Sequence, residues 1–389
     1  MYVNNKSSSD QSVHQFRPSE DFSSWAVRNA RRIKLERDLK RYDQTSPPDR
    51  TFFREDRTLF YKDAVRQIPP SDVINLHWVS GFLDYGAFFE WLPQNMRLVW
   101  TSHDMASFTG GCCYDMGCGK FAQQCGACPQ LGSQDSSDLT SQVWHRKKKY
   151  FDALNLSLFH IVTPSRWLGE EVKRSPLLSR FPRSVIPYGL DLNVFQPREP
   201  RAAREVLGIP SNAKVVLFVS HELHTARKGF RFLNEALAQV DQVKDLFLLS
   251  LGSGFPPQME QFPHVHIPSV TEDRLLSLIY SAADIFVAPS LADNLPNTIL
   301  ESIACGTPVV AFDAGGMPDM VRPNQTGLLA ATGNSAELRA AIVELLNNAA
   351  KRREFSQNCR VVALTEYELS KQANRYIQLY QGMLNRAAR

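Results

Sequence analysis

The stretch from Asp284 to Phe312 limits what this chain can fold into more than any other. Asp284-Ile-Phe-Val-Ala288 is apolar and β-branched enough to be a short buried strand. Asn294 is placed to cap a helix, and Pro296 fits its first turn, where a missing N–H costs nothing. Gly306 can end that helix in the left-handed region, and Thr307 to Phe312 reads as the next buried strand. Strand, loop, helix and strand in that order put the helix N-terminus at the carboxyl edge of a parallel sheet. Open α/β folds bind their ligands at that edge. On a helix starting near Leu295 the first N–H groups suit a phosphate. Asn297, Thr298 and Glu301 share one face of it by three- and four-residue spacing. Glu301 is then an acceptor-only carboxylate beside an anion site, suited to a vicinal diol such as a ribose.

Two acidic residues eight positions apart, Asp293 and Glu301, enclose Asn294-Leu-Pro-Asn-Thr298 and precede Ala304-Cys-Gly-Thr-Pro-Val-Val310. This string resembles the signature of the retaining family-4 glycosyltransferases of GT-B fold. The resemblance implies that Asp293 lies against a donor sugar and Glu301 holds the nucleotide ribose. That family usually has Glu at the first position, so Asp293 shortens the reach of the contact. It also implies an α/β protein of two Rossmann-like, doubly wound domains facing across a cleft.

With 389 residues, 43% hydrophobic and 22% charged, the chain is long enough for two such domains. A net charge of +4 is too mild to suggest nucleic acid as a partner. No apolar run approaches the roughly 20 residues that span a membrane, and the N-terminus does not read as a signal peptide. Five of the seven Cys crowd between 112 and 128, unlike a secreted disulfide framework, so a cytoplasmic protein is expected.

Residues 1–24 are polar, contain no Gly and offer no convincing first strand. Trp25 to Arg41 reads as a basic amphipathic helix. A solvated helix is the expectation there, with peripheral contact to the inner face of an anionic membrane left open. Thr45 to Asp49 reads as a loop. Asp72 to His77 and Arg97 to Ser102 read as buried strands, each ending in a His, His77 and His103. Family-4 enzymes carry a His at the second of these strand ends, so the resemblance assigns His103 to the donor sugar. Cys112, Cys118, Cys125 and Cys128 follow, with Cys113 left over. A C-x2-C pair with two further Cys can hold a tetrahedral structural zinc. Free thiols on an active-site loop and disulfides are the other two states open to them. The loop type is similar to that of a subgroup involved in bacterial polysaccharide assembly. Leu139 to Leu156 reads as a helix, and its cluster Trp144-His-Arg-Lys-Lys-Lys-Tyr150 as a solvated face.

The second half alternates strands with helices, which argues a parallel doubly wound sheet. Arg227-Lys228-Gly229 at a helix start can place a point charge on a diphosphate. The resemblance assigns that contact to Lys228. The family's Arg five residues earlier is replaced by Leu223, and Arg227 is the candidate to supply the missing cation. Gly252-x-Gly254 is a weak donor-site signal, usually only a turn. Gly315-Gly316 looks like the family's glycine turn facing the donor.

The sequence reading places an acceptor-side Rossmann-like domain at 1–187, with a Cys-rich loop at 103–130. A nucleotide-sugar-binding domain follows at 188–368, and a helix at 369–389 crosses back to the first. The family's opening strand and glycine-rich loop are missing, so the first domain is expected to be truncated. The expected activity is transfer of a sugar, with retention, from a nucleotide-sugar to a glycan or lipid-linked acceptor in exopolysaccharide or lipopolysaccharide assembly. His103 and Asp293 are the catalytic candidates. Lys228, Arg227, Asn294, Leu295, Asn297, Thr298, Glu301 and Gly254 are the donor-binding ones. No cofactor is expected to be required for catalysis. The alternative is a non-catalytic, truncated paralogue that binds nucleotide-sugar as a subunit.

Overall fold

The computed structural model describes residues 1–48, 50–51, 53–240, 243–254 and 262–386. Asp49, at the end of the expected loop, and the last three residues of the expected C-terminal segment lie outside them. The chain divides into two compact units. The first gathers residues 1–163, 168–185 and 379–389; the second gathers 164–167 and 186–378.

In the first unit, β1 (Tyr2–Val3) and β2 (His14–Gln15) form a short parallel pair of their own. Residues 1–24 thus hold two two-residue strands, neither of which joins the main sheet of the unit. Then come α1 (Phe22–Lys40), α2 (Lys62–Arg66), β3 (Val73–His77), α3 (Tyr85–Trp91) and β4 (Arg97–Thr101). After the cysteine loop follow α4 (Leu139–Asp152), β5 (Phe159–Thr163), α5 (Arg166–Arg174) and β6 (Arg183–Val185). The strands form one parallel sheet in chain order, β3-β4-β5-β6. Among the described residues β3 pairs only with β4, which makes it an edge.

The helix α4 corrects the sequence reading. Its cluster is only partly solvated: His145 and Lys149 are exposed, but Trp144 and Lys147 are buried. Lys147 is 1% exposed, and its ammonium donates to the carbonyls of Ala106 at 2.5 Å and Thr109 at 3.0 Å. Arg146 forks onto Asp56 at 2.6 and 2.9 Å. Burial lowers the Lys147 pKa, and carbonyl partners make that burial tolerable. Asp138 starts the helix, its carboxylate accepting from the Ser141 N–H and the Thr140 hydroxyl.

The second unit opens with α6 (Pro200–Val206), β7 (Lys214–Glu222), α7 (Phe230–Leu237), β8 (Leu246–Ser253) and β9 (His264–Ile267). It continues through α8 (Asp273–Ala282), β10 (Ile285–Ala288), α9 (Asn297–Ala304), β11 (Val309–Phe312) and β12 (Gly327–Ala330). Three helices end the chain: α10 (Ser335–Asn347), α11 (Ala349–Glu366) and α12 (Leu369–Arg386). Six parallel strands lie in the order β12-β11-β10-β7-β8-β9. Chain order runs outward in one direction from β7 and in the other from β10, so the sheet reverses between these two neighbours. That reversal is the topological switch point at which open α/β sheets take ligands. The central strands are apolar on both faces: Val215 to Phe218, Ile285 to Ala288 and Val309 to Phe312 are all buried.

The helix after β10 begins at Asn297, two residues later than the sequence suggests. Proline disfavours helical geometry at the residue before it, which keeps Leu295 out of the helix, and the extended Pro296 takes the cap position. Asn294 is not the N-cap: its side-chain oxygen instead accepts the Ser165 hydroxyl. Among the described residues no helix is long and apolar enough to cross a membrane.

Candidate functional site

β7 and β10 pair as Ile285 with Val216 and Phe286 with Leu217, so the loops that leave them start side by side. Those loops carry Arg227-Lys228-Gly229 and Asp293-Asn294. Gly229 sits at φ +73°, and a Cβ there would stand 1.8 Å from the Pro289 carbonyl oxygen. Only glycine lets the two loops touch at this point. The Leu291 N–H donates to the Arg227 carbonyl at 2.8 Å and ties them further.

The contact aims two cations at one carboxylate. Lys228 Nζ is 2.7 Å and Arg227 Nη1 3.2 Å from Asp293 Oδ2. Asp293 is 8% exposed. Burial works to raise its pKa, but Lys228 and Arg227 outweigh it and hold the carboxyl below its ordinary range. Arg227, the candidate for the missing family cation, is therefore at the cluster, while Leu223 is fully buried in the core.

On the neighbouring helix α9, Ile299, Leu300 and Ile303 point into the core, while Asn297 is exposed and Thr298 and Glu301 are half-buried. The three polar residues thus occupy the face that the core leaves open. The N–H groups of Ile299 and Leu300 already donate to the Pro296 carbonyl. Those of Asn297 and Thr298 stand in the first turn, where the helix offers no internal acceptor. Glu301 Oε2 accepts the Tyr280 hydroxyl at 2.8 Å. Burial raises the Glu301 pKa and this hydrogen bond works against it. Tyr280 is a residue that sequence reasoning missed. It lies in the core at the end of α8, and nothing in its local pattern separates it from a packing aromatic.

Leu295 is a core residue, 3% exposed. Gly316 donates its N–H to the Asp293 carbonyl at 2.9 Å, so the Gly315-Gly316 turn braces the Asp293 backbone. Gly254 lies against the loop after β7, where a Cβ on it would stand 2.7 Å from the His224 ring.

In the first unit, His103 follows β4 and His77 ends β3. Their rings meet through Nδ1 of His77 and Nε2 of His103 at 2.9 Å. One of these nitrogens carries the shared proton. Burial lowers the pKa of each from 6.5 to about 4, with the neighbouring imidazole adding to the effect at His77. The pair is therefore neutral at physiological pH. Beside it, the Trp78 indole donates to Asp104 Oδ2 at 3.0 Å, and Asp104 Oδ1 accepts the Ala106 N–H at 2.8 Å. The sequence showed both strand-end histidines but not their partnership, because register between strands decides it.

Cys112, Cys118, Cys125 and Cys128 border one cavity of about 20 Å³ in the loop after β4. All are free cysteines. Among the described residues no three His, Cys, Asp or Glu side chains stand ready to hold a metal ion. Cys113 is buried.

Residues 213–348 match the family described as glycosyl transferases group 1. The chain is 30% identical over 196 residues to D-inositol 3-phosphate glycosyltransferase 2 of Catenulispora acidiphila, a match covering 45% of each chain. The chain thus spans less than half the length of that relative. Among solved structures, sucrose-phosphate synthase from Thermosynechococcus elongatus superposes with a TM-score of 0.62 at 21% identity, over 81% of this chain and 74% of that one. The Anabaena protein HepE, in complex with UDP and glucose, superposes with a TM-score of 0.58 at 17% identity, over 80% and 78%. The chain has the parallel α/β fold of GT-B glycosyltransferases, and over residues 213–348 it carries a domain of the glycosyl transferases group 1 family.

Proposed function

We propose that the protein transfers a sugar from a nucleotide-sugar donor to a glycan or lipid-linked acceptor, retaining the anomeric configuration, in polysaccharide or glycolipid assembly. The observation that carries this reading is the switch-point cluster in the matched domain. There Lys228, Arg227 and Asp293 meet beside the open face of α9 with its half-buried Glu301. Glu301 would take the ribose diol through its Oε1, with Oε2 held by Tyr280. Lys228 would leave Asp293 for the donor diphosphate, exchanging one anion for another, while Arg227 keeps the carboxylate compensated. The N–H groups of Asn297 and Thr298 would add donors to the same phosphates. The main chemical task is to stabilise the departing nucleoside diphosphate, which preorganised charges do well. Asp293 and, in the first unit, His103 are the candidates for orienting the donor sugar. These groups belong to the chain itself, and the proposal asks for no catalytic cofactor.

The exposed Phe22–Trp25 stack at 5.6 Å, on a helix carrying Arg32, Lys34, Arg37 and Lys40, supports peripheral contact with an anionic membrane on the cytoplasmic side. The second reading, a non-catalytic subunit that binds the same donors, is favoured by Asp293 being engaged by two cations.

Calorimetry with UDP-, GDP- and ADP-sugars identifies the donor, and release of its nucleotide on turnover separates enzyme from subunit. With that donor's nucleotide in hand, Glu301→Ala should weaken both nucleoside and nucleoside diphosphate by about 1.5–3 kcal/mol. Lys228→Ala should weaken only the diphosphate. Unchanged binding in Glu301→Ala removes the ribose assignment, and equal losses for both ligands in Lys228→Ala make that lysine structural.

A further inference from the structure

The loop after β4 gathers four sulfurs that the proposed reaction does not use. Cys112, Cys118, Cys125 and Cys128 come from separate turns of the loop, yet all line one cavity of about 20 Å³. A space of that size can hold one small atom or ion.

Burial opposes charge on Cys112, Cys125 and Cys128, and a backbone donor works against that effect at Cys125. The Gly110 N–H donates to Cys125 Sγ at 3.1 Å. A neutral thiol is a weak acceptor, and such donors gain strength when the sulfur carries charge. The fully buried Lys147 ammonium lies within electrostatic reach of Cys112 and Cys125. Its direct partners, the Ala106 and Thr109 carbonyls, are neutral. The nearby Asp56 is already forked by Arg146. The carboxylates of Asp56 and Asp104 act on the same ammonium, so the sulfurs share its field with them.

We propose that Cys112, Cys118, Cys125 and Cys128 form a tetrathiolate site for a soft tetrahedral divalent cation, zinc by ligand chemistry. Four S–H groups would give their protons to solvent, four metal–sulfur bonds would form, and Lys147 would offset part of the resulting double negative charge. In the structure the sulfurs surround the cavity without standing at coordinating separations, so binding must draw them inward. The loop can yield. A Cβ at Gly117 or Gly119 would meet nothing within 4 Å, and Cys118 between them is only half-buried. Asp115 is not a ligand in this scheme, because its carboxylate accepts the Gly117 and Gly119 N–H groups. The site would fix the segment that follows His103, and it stands whether or not the glycosyltransferase reading does.

Elemental analysis of the full chain, purified without chelator or metal-affinity resin, tests the site. One zinc per chain is expected in the wild type and in Cys113→Ser, and none in Cys125→Ser/Cys128→Ser. Should the double variant fail to fold, the wild type stripped of metal and titrated with cobalt gives the second readout. A thiolate-to-cobalt charge-transfer band, with the visible bands of a tetrahedral ion, is expected at one equivalent. Metal-free protein that shows no such band overturns the proposal. So does zinc retained in the double variant, or a disulfide among the four cysteines found by mass spectrometry.

Discussion

In the second unit the loops after β7 and β10 meet where the strand order reverses, and each supplies charges to the other. In the first unit the strands run in chain order, and the loop after β4 finds its partners on α4 and on the end of β3 instead. One site is made by backbone approaching backbone, with Gly229 as the point of contact. The other is made by side chains reaching a long loop from outside it. The difference teaches where each is vulnerable. A site that depends on close approach fails when a single methyl is added, and a site that depends on reach fails when a polar head is removed.

The sharpest way to break this comparison uses two glycines of similar backbone angle. Gly229 has φ +73° with the Pro289 oxygen 1.8 Å from where a Cβ would stand, whereas Gly117 has φ +83° with open space around it. Alanine costs about 1–2 kcal/mol of left-handed strain at either position. At Gly229 the overpacking should add about 1–3 kcal/mol more. Urea unfolding of Gly229→Ala and Gly117→Ala should show that gap, together with loss of nucleotide binding only in the first. Equal midpoints would mean that the two loops of the second unit do not depend on their contact.

In the first unit the corresponding test removes a polar head. Lys147→Met keeps the length of the side chain and strands two buried carbonyls, a loss of about 2–3 kcal/mol. Lys148→Met, one residue on, breaks only an exposed pair with Asp152 and should cost no more than about 0.5 kcal/mol. If the two variants melt alike, Lys147 is solvated after all and the loop is held by something else.

The contrast also explains what the sequence made legible. Strand and helix order in the second unit, and the polar face of α9, follow from local periodicity and from runs buried on both sides. Asn297, Thr298 and Glu301 could be grouped because helical spacing is a property of the chain alone. Sequence alone misplaces the helix start because two local signals compete. Asn294 has the chemistry of a cap, but Pro296 keeps Leu295 out of helical geometry, and steric exclusion wins over a hydrogen bond that Ser165 supplies elsewhere. Lys147 could not be told from Lys148 or Lys149, since a run of lysines looks the same until the carbonyls of Ala106 and Thr109 arrive from some forty residues upstream. Tyr280 with Glu301, and His77 with His103, are likewise partnerships made by packing between elements.

The last expected effect concerns that histidine pair and shows itself through pH. Both imidazoles have their pKa lowered from 6.5 to about 4 in the fold. Between those values the unfolded chain binds protons that the folded chain refuses. The stability linked to the pair is therefore fully present above pH 6.5 and declines as the pH falls toward 4. His77 is exposed over part of its surface while His103 is half-buried, so solvent screens the former and most of the loss belongs to His103. Only one ring nitrogen supplies the shared proton, and protonating both rings would set two N–H groups against each other. His77→Gln/His103→Gln removes both titrations at once. Urea midpoints at pH 7 and pH 5 should differ more in the wild type than in this variant, and single variants should rank His103→Gln above His77→Gln. A wild-type pH slope that survives in the double variant would place the titrating groups elsewhere and dissolve the pair as a unit.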